Sequence, residues 1–200
     1  MKYKSIKYLL FLCIFVCIEI NLATQAQNSA SSVTVEDIIA SVQANNPDAV
    51  DGVAWKLHNE HKQLVEKLLN IFKNAKSSNV ERCAAVYYFG DLKISEAVDA
   101  LAANITLSFN EPVDHLSIVM GASSVNALIE IGSPSIPPLI RNLAESDDVQ
   151  VRKLSLEVLY QIDGDKDITQ LRLQKALKAE KNSQKQARLK SALKALGEIH

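Results

Sequence analysis

The chain has 200 residues, of which 48% are hydrophobic and 22% charged, and its formal net charge at pH 7 is −1. That composition excludes an intrinsically disordered chain, a collagen-like chain and a disulfide scaffold, and a net charge near zero gives no case for wholesale binding to nucleic acid. The length allows one domain, or a short array of repeats, with a real core.

Residues 1–26 have the layout of a secretory signal peptide. Three lysines come before the apolar stretch at 8–18, and small residues follow at the positions that a signal peptidase reads, so we predict cleavage after Ala26. A retained membrane anchor is an alternative, but Glu19 and Asn21 interrupt a stretch already shorter than the roughly 20 residues of a membrane span. Lipidation of a cysteine in this segment is a further alternative. We predict an exported protein, periplasmic or secreted, with no stable membrane anchor after signal removal.

Cleavage would leave Cys83 as the only cysteine, so we expect no internal disulfide in the exported protein. Cys83 lies in a sequence typical of a helix, and we predict a small buried apolar side chain at this position. The alternative role of a nucleophile would need a helper base and a cleft, and the sequence indicates neither.

The rest of the chain is a succession of helical patterns. Residues 27–34 are small and polar and predict a flexible linker. Thr34 stands three residues before Asp37, a spacing typical of a capping box at a helix start. From there apolar residues recur at intervals of three and four, as in Leu154 and Val158, and period-two alternation is nearly absent. We predict an all-α fold over residues 35–200.

Four segments within this region share a pattern at the end of a predicted helix. They begin at Tyr88, Ala127, Val158 and Ala195, so their spacings are 39, 31 and 37 residues. A turn and a further helical segment follow most of them, so each unit is a helix pair that cannot bury its apolar side by itself. Stacking of the pairs removes that problem, and we predict a short α-solenoid of three to four helix pairs.

Residues 136–154 resemble a HEAT repeat. Members of that family carry a Pro in the first helix, an Asp in the turn and a Val-Arg pair at the start of the second helix; Pro138, Asp148 and Val151-Arg152 match these positions. The resemblance covers about residues 50–200 and is degenerate outside this one repeat. It implies an α-solenoid that binds other macromolecules through its curved inner face. These motif positions have a physical role, and we expect Asp148 to cap the second helix and Arg152 to reach back to that acidic cap.

Two clusters resemble metal sites, but each is better explained otherwise. His58 and His61 lie one helical turn apart, yet their spacing is not that of a zinc protease and no third ligand is near, so we interpret them as solvated surface. The alternating carboxylates of Asp163, Asp165 and Asp167 resemble the start of a calcium loop, but the later ligand positions do not fit, so we interpret them as an acidic turn. We predict no metal, no cofactor and no enzymatic activity.

The long first spacing identifies one candidate contact segment. The extra residues fall around 106–114, where Leu107 and Phe109 are apolar enough to contact a partner. An equally weighted alternative is a loop that folds back and covers the helix array. The residues at 104–109 are also the best candidate for a strand, although they are too few to support a sheet.

Charge asymmetry identifies the other candidate. Residues 166–200 carry nine Lys and Arg against three acids, a net +6, whereas residues 27–165 carry a net −9. Unlike ends permit head-to-tail self-association or attraction of a charged partner. The preferred alternative is a terminal cap whose outer face is simply soluble. The candidate partner-binding residues are Lys175, Lys178, Lys185 and Arg188, with Arg152 of the HEAT-like motif, Leu107 and Phe109.

These patterns favour a non-catalytic scaffold or adaptor that binds another protein through the solenoid's inner face or a loop. The first alternative is a structural or assembly subunit that associates through its ends, and the second is a lyase-like accessory protein. Nucleic acid is not an expected partner, because Tyr160 is the last aromatic residue and none alternates with the basic residues beyond it.

Overall fold

The structure, a computed structural model, describes residues 61–109 and 122–198 and a few single residues between 34 and 53. All of these belong to one compact unit, Val33–His200. The predicted signal peptide, the predicted linker except its last residue, and His58 lie outside the described residues.

Within the described residues the secondary structure is helical, which confirms the predicted all-α class. The helices are α1 (His61–Lys73), α2 (Asn79–Asp91), α3 (Val98–Ala103), α4 (Ser124–Ile131), α5 (Ile136–Glu145), α6 (Val149–Asp163), α7 (Lys166–Ala179) and α8 (Ser183–Gly197). Short 3-10 turns, Ser95–Ala97 and Ser133–Ser135, lead into α3 and α5. The only β-type pairing in these ranges is a single bridge between Ser108 and Ser123. None of the described helices is long and apolar enough to cross a membrane.

Local sequence explains where most of these helices begin, because polar side chains accept hydrogen bonds from the exposed amides of the first turn. Asp148 caps α6 by accepting from the amides of Gln150 at 2.7 Å and Val151 at 3.4 Å, as predicted. The predicted capping box at Thr34 is also confirmed, since the Asp37 amide donates to Thr34 Oγ1 at 3.1 Å and the Thr34 amide donates to Asp37 Oδ2 at 2.9 Å. The other capping side chains belong to Ser78, Ser123, Asp165 and Asn182.

Consecutive helices pack in pairs: α1 with α2, α3 with α4, α5 with α6, and α7 with α8. Neighbouring pairs are joined by contacts of α2 with α4, α4 with α6, and α3 with α5. The last pair is oriented differently, because α7 packs on α6 while α8 packs mainly on α5 and less closely on α6. The helices from α5 to α8 therefore contact one another in a ring.

Buried apolar side chains from every helix join into one cluster. Phe72 of α1 meets Phe89 of α2 edge to face, with ring centroids 5.7 Å apart. Cys83 of α2 is fully buried, as predicted, and this burial raises the pKa of its thiol to about 11. The Tyr88 hydroxyl is also buried and shares a hydrogen bond of 2.8 Å with Ser41 Oγ, so the segment before α1 contributes to the same core.

Helices α2 and α4 approach each other closely at Gly90. A Cβ atom at Gly90 would overlap the carboxylate of Glu130 and would lie 3.1 Å from the Cα atom of Ala127. A glycine is therefore needed here for packing rather than for its backbone conformation. Burial against α2, with the nearby charge of Asp91, raises the pKa of Glu130 above its ordinary value of 4.5.

Candidate partner-binding groove

A groove of about 160 Å³ lies among helices α5, α6 and α8. We call it the α6–α8 groove. It is lined by Leu143 of α5, by Val149, Arg152, Lys153 and Leu156 of α6, and by Arg188, Ser191, Ala192 and Ala195 of α8. None of these nine side chains is acidic.

The floor of the α6–α8 groove is apolar. Leu143 and Leu156 are 1% and 5% exposed, so their side chains are fixed in the core and present only a small surface. On the α8 side the lining residues Ser191, Ala192 and Ala195 are small, which leaves space unfilled between the helices. Val149 lines the same groove and is 69% exposed. An apolar side chain placed in this groove would exclude water from surfaces that the fold itself leaves accessible.

Arg152, a predicted candidate, is held by the turn between α5 and α6. Its Nη1 donates to the backbone oxygens of Ser146 at 2.8 Å and Asp147 at 2.9 Å. It therefore reaches back to backbone carbonyls beside the cap and not to the carboxylate of Asp148. Within the described part of the chain its Nη2 and Nε make no hydrogen bond. The guanidinium is thus positioned by the fold with two nitrogens available for an acceptor.

Arg188, the second predicted candidate in the groove, is largely occupied by contacts within the fold. Its Nη1 donates to the backbone oxygens of Glu145 at 2.6 Å and Ala144 at 3.4 Å, which are orphan carbonyls at the end of α5. Its Nη2 forms an ion pair with the carboxylate of Asp147. Arg188 therefore ties α8 to the turn that precedes α6.

Lys153 adds a third positive charge, and its only described ion pair is weak. Its side chain is 66% exposed, and Nζ lies 3.9 Å from Glu157 one turn along α6. Of the three cations on the groove, Arg152 is the one that contacts no carboxylate among the described residues. The groove therefore combines an apolar floor with a guanidinium, that of Arg152, which no described carboxylate pairs.

The other basic candidates lie outside the groove. Lys185 donates to Glu145 Oε1 at 2.6 Å, and this hydrogen bond raises the pKa of Lys185. Lys175 and Lys178 are exposed on α7, with no hydrogen bond or ion pair to any described residue. The predicted basic residues of α8 thus support the packing of the last helix pair, and those of α7 face solvent.

The apolar candidates before α4 fold back onto the helices. Phe109 is 7% exposed, and Leu107 is half-buried against the core. The Phe109 amide donates to the oxygen of Ala122, and the Ser124 amide donates to the oxygen of Leu107, both at 3.0 Å. For these two side chains the covering role has more support than partner contact; residues 110–114 lie outside the described range.

The carboxylates that resemble a calcium loop are used within the fold. The Asp163 side chain, 3% exposed, accepts from Arg172 Nη2 at 2.9 Å and from Thr169 Oγ1 at 3.1 Å. Asp165 caps α7 through the amide of Asp167 at 2.7 Å. Among the described residues no three His, Cys, Asp or Glu side chains come together in a way that suits a metal ion. These contacts support the interpretation of an acidic turn.

The groove could not be predicted from the sequence. It depends on the contact between α8 and α5, which brings together residues more than 40 positions apart, such as Arg188 and Glu145. The only local signal was the small residues on one side of the last helix. No family model, curated protein or solved structure matches the chain. The likeness of residues 136–154 to a HEAT repeat therefore rests on the sequence motif.

Proposed function

We propose that the protein is an exported, non-catalytic binding protein built from HEAT-like helix pairs. Two observations support the repeat architecture. Helices α2, α4 and α6, the second members of three pairs, contact one another in succession, and α3 contacts α5 in the same order. Asp148 also caps α6, as its place in the HEAT-like motif requires, while Arg152 bonds to backbone carbonyls of the same turn.

The last helix pair serves as the terminal cap of this array in our proposal. Because α8 packs on α5 instead of continuing the row of second helices, the pair covers the end of the apolar core. Helix arrays need such a cap for solubility, since an uncovered end would expose the next apolar interface. The excess of lysine in this region is consistent with the same role.

The binding role is carried by the α6–α8 groove. It is open, its floor is apolar and its arginine is already held by two backbone carbonyls. A surface fixed in advance loses little conformational entropy when a partner binds. We propose that another protein of the envelope or the extracellular space docks on this face.

Photocrosslinking tests this function. A photoreactive phenylalanine analogue is placed at Val149, which lines the groove and is 69% exposed, or as a control at Gln161, an exposed position on the same helix that does not line it. Irradiation in the exporting cells should give a discrete adduct with one partner protein from position 149 and not from 161. Absence of an adduct, or the same adducts from both positions, would contradict binding at this face. The mass that this protein contributes to the adduct also tests export, because a chain cleaved after Ala26 begins at Gln27 and lacks the mass of residues 1–26.

One observation favours the alternative of an assembly subunit. Ile168 and Leu171 are 47% and 69% exposed one turn apart on α7, in the terminal pair, and Lys175 and Lys178 follow on the same helix. Sedimentation over a wide concentration range distinguishes the two functions. A mass that rises with concentration, and that Leu171→Glu returns to the monomer value, would support assembly through the end.

A further inference from the structure

We propose that the α6–α8 groove binds a peptide segment of the partner in which a carboxylate lies close to one large apolar side chain. The inference rests on the proposed binding function and specifies its ligand. Three properties of the groove carry it: its size, its floor and its charge.

The size of the groove suits one side chain. Sites for drug-sized ligands and cofactors have volumes of about 300–1,000 Å³, whereas this groove holds about 160 Å³. The groove is bounded by helices α5, α6 and α8 and is open to solvent, so the backbone of a peptide can remain outside while one side chain enters. This arrangement favours an anchor residue over an enclosed small molecule.

The floor selects an apolar anchor. Leu143, Leu156 and Ala192 are each less than 10% exposed, and together with Ala195 they offer carbon surface and no acidic group. A Leu, Ile, Met or Phe side chain would bury its own surface against them and would also cover part of Val149. Burial of one such side chain is the kind of central contact that dominates binding energy in small interfaces.

The charge selects a carboxylate beside that anchor. Arg152 uses Nη1 for two backbone carbonyls and leaves Nη2 and Nε without a partner among the described residues. Two adjacent N–H groups of a guanidinium match the two oxygens of a carboxylate. Lys153, on the same groove, adds positive charge at an exposed position. A partner segment with Lys or Arg in place of the acid would be repelled.

The experiment uses residues 27–200, the whole chain expected after signal cleavage, and a phage-displayed library of random dodecapeptides. Enriched peptides should carry Asp or Glu within four residues of Leu, Ile, Met or Phe. The strongest peptide is then labelled, and its affinity is measured by fluorescence anisotropy for three variants. Ala195→Phe fills the groove and should weaken binding about thirtyfold, the equivalent of the lost burial of one Leu-sized side chain. Lys153→Glu should weaken it about fivefold, and the matched charge reversal Lys190→Glu less than twofold.

Every outcome of the peptide selection and the affinity measurements either supports or overturns the proposed ligand class. Failure to enrich any peptide, enrichment of basic or wholly polar peptides, or affinity that neither Ala195→Phe nor Lys153→Glu changes would overturn it. If Ala195→Phe lowers the melting temperature, the comparison of Lys153→Glu with Lys190→Glu is sufficient by itself. Competition by octanoate at lower concentration than by the peptide would overturn it in favour of a small carboxylic acid. An adduct at position 149 together with a negative peptide result would leave the binding function standing and remove only this ligand class.

Discussion

Replacing Asp163 by Ala should destabilise the last four helices more than any change to a surface ion pair. The Asp163 carboxylate is 3% exposed and accepts from Arg172 Nη2 at 2.9 Å, from Arg172 Nε at 3.2 Å and from Thr169 Oγ1 at 3.1 Å. Its removal leaves the Arg172 guanidinium without its acid, whereas Thr169 still donates to the Asp165 oxygen.

The magnitude follows from how far Arg172 can return to water. Breaking a buried ion pair costs about 3–5 kcal/mol, but the Arg172 side chain is 34% exposed and regains part of its hydration. We therefore expect a loss of about 2–3 kcal/mol in the free energy of unfolding for Asp163→Ala. A melting temperature lowered by about 4–12 °C corresponds to that loss in a chain of this size.

The assay is urea unfolding followed by far-ultraviolet circular dichroism, with Glu157→Ala as the control. That substitution breaks only the exposed contact of 3.9 Å with Lys153 and should cost less than about 0.5 kcal/mol. A double-mutant cycle with Arg172→Ala isolates the pair and should give a coupling energy above about 1 kcal/mol. Equal effects of Asp163→Ala and Glu157→Ala, or a coupling energy near zero, would refute the reasoning.

Three further predictions concern packing, charge and thiol burial. Gly90→Val should destabilise the fold by about 2 kcal/mol, because the valine side chain would meet the backbone of Ala127. Gly197→Ala is the control and should cost nothing, because a Cβ atom at that position meets no other atom. Thermal melts compare the two variants. Because the pKa of Glu130 is raised in the folded state, this group adds stability below about pH 4.5 that is lost as the pH rises through the folded-state pKa. Glu130→Gln should therefore raise the urea midpoint at neutral pH and make that midpoint depend less on pH. An unchanged midpoint would argue that burial of the Glu130 carboxylate does not destabilise the fold. Cys83 should react with a thiol reagent only at the rate of unfolding, because the native thiol is buried and its pKa is about 11; rapid labelling of the native protein would contradict this.

Local patterns in the sequence predicted the elements, because they depend on residues close along the chain. Apolar recurrence predicted helices, Asp148 and Thr34 were identified as caps from residues within three positions, and the burial of Cys83 followed from its small neighbours. The capping box of Ser78 and Glu81, with its Ser-Asn-Val-Glu sequence, was equally readable and was missed.

Long-range contacts were beyond the sequence because nothing local encodes them. Arg188 and Lys185 stood out as basic residues available to a partner, but each bonds to the end of α5, as far as 44 residues earlier in the chain. The sequence around Gly90 did not indicate that α4 approaches it. Glycine fits there because a Cβ atom would meet α4, and not because the backbone forms a turn. Charge and hydropathy along one chain cannot distinguish a lysine that faces solvent from one that joins two helices.

The bonds from α8 to the end of α5 also bear on how the molecule assembles in time. Contacts between distant parts of a chain form late, since the loop between them must first be closed at a cost in entropy. Docking of residues 183–197 closes such a loop, across 43 positions, and needs the turn that receives Arg188 to be in place. Until that moment Leu143 and Leu156 remain open to water, so premature self-contact at this surface is the hazard that the closing helix removes.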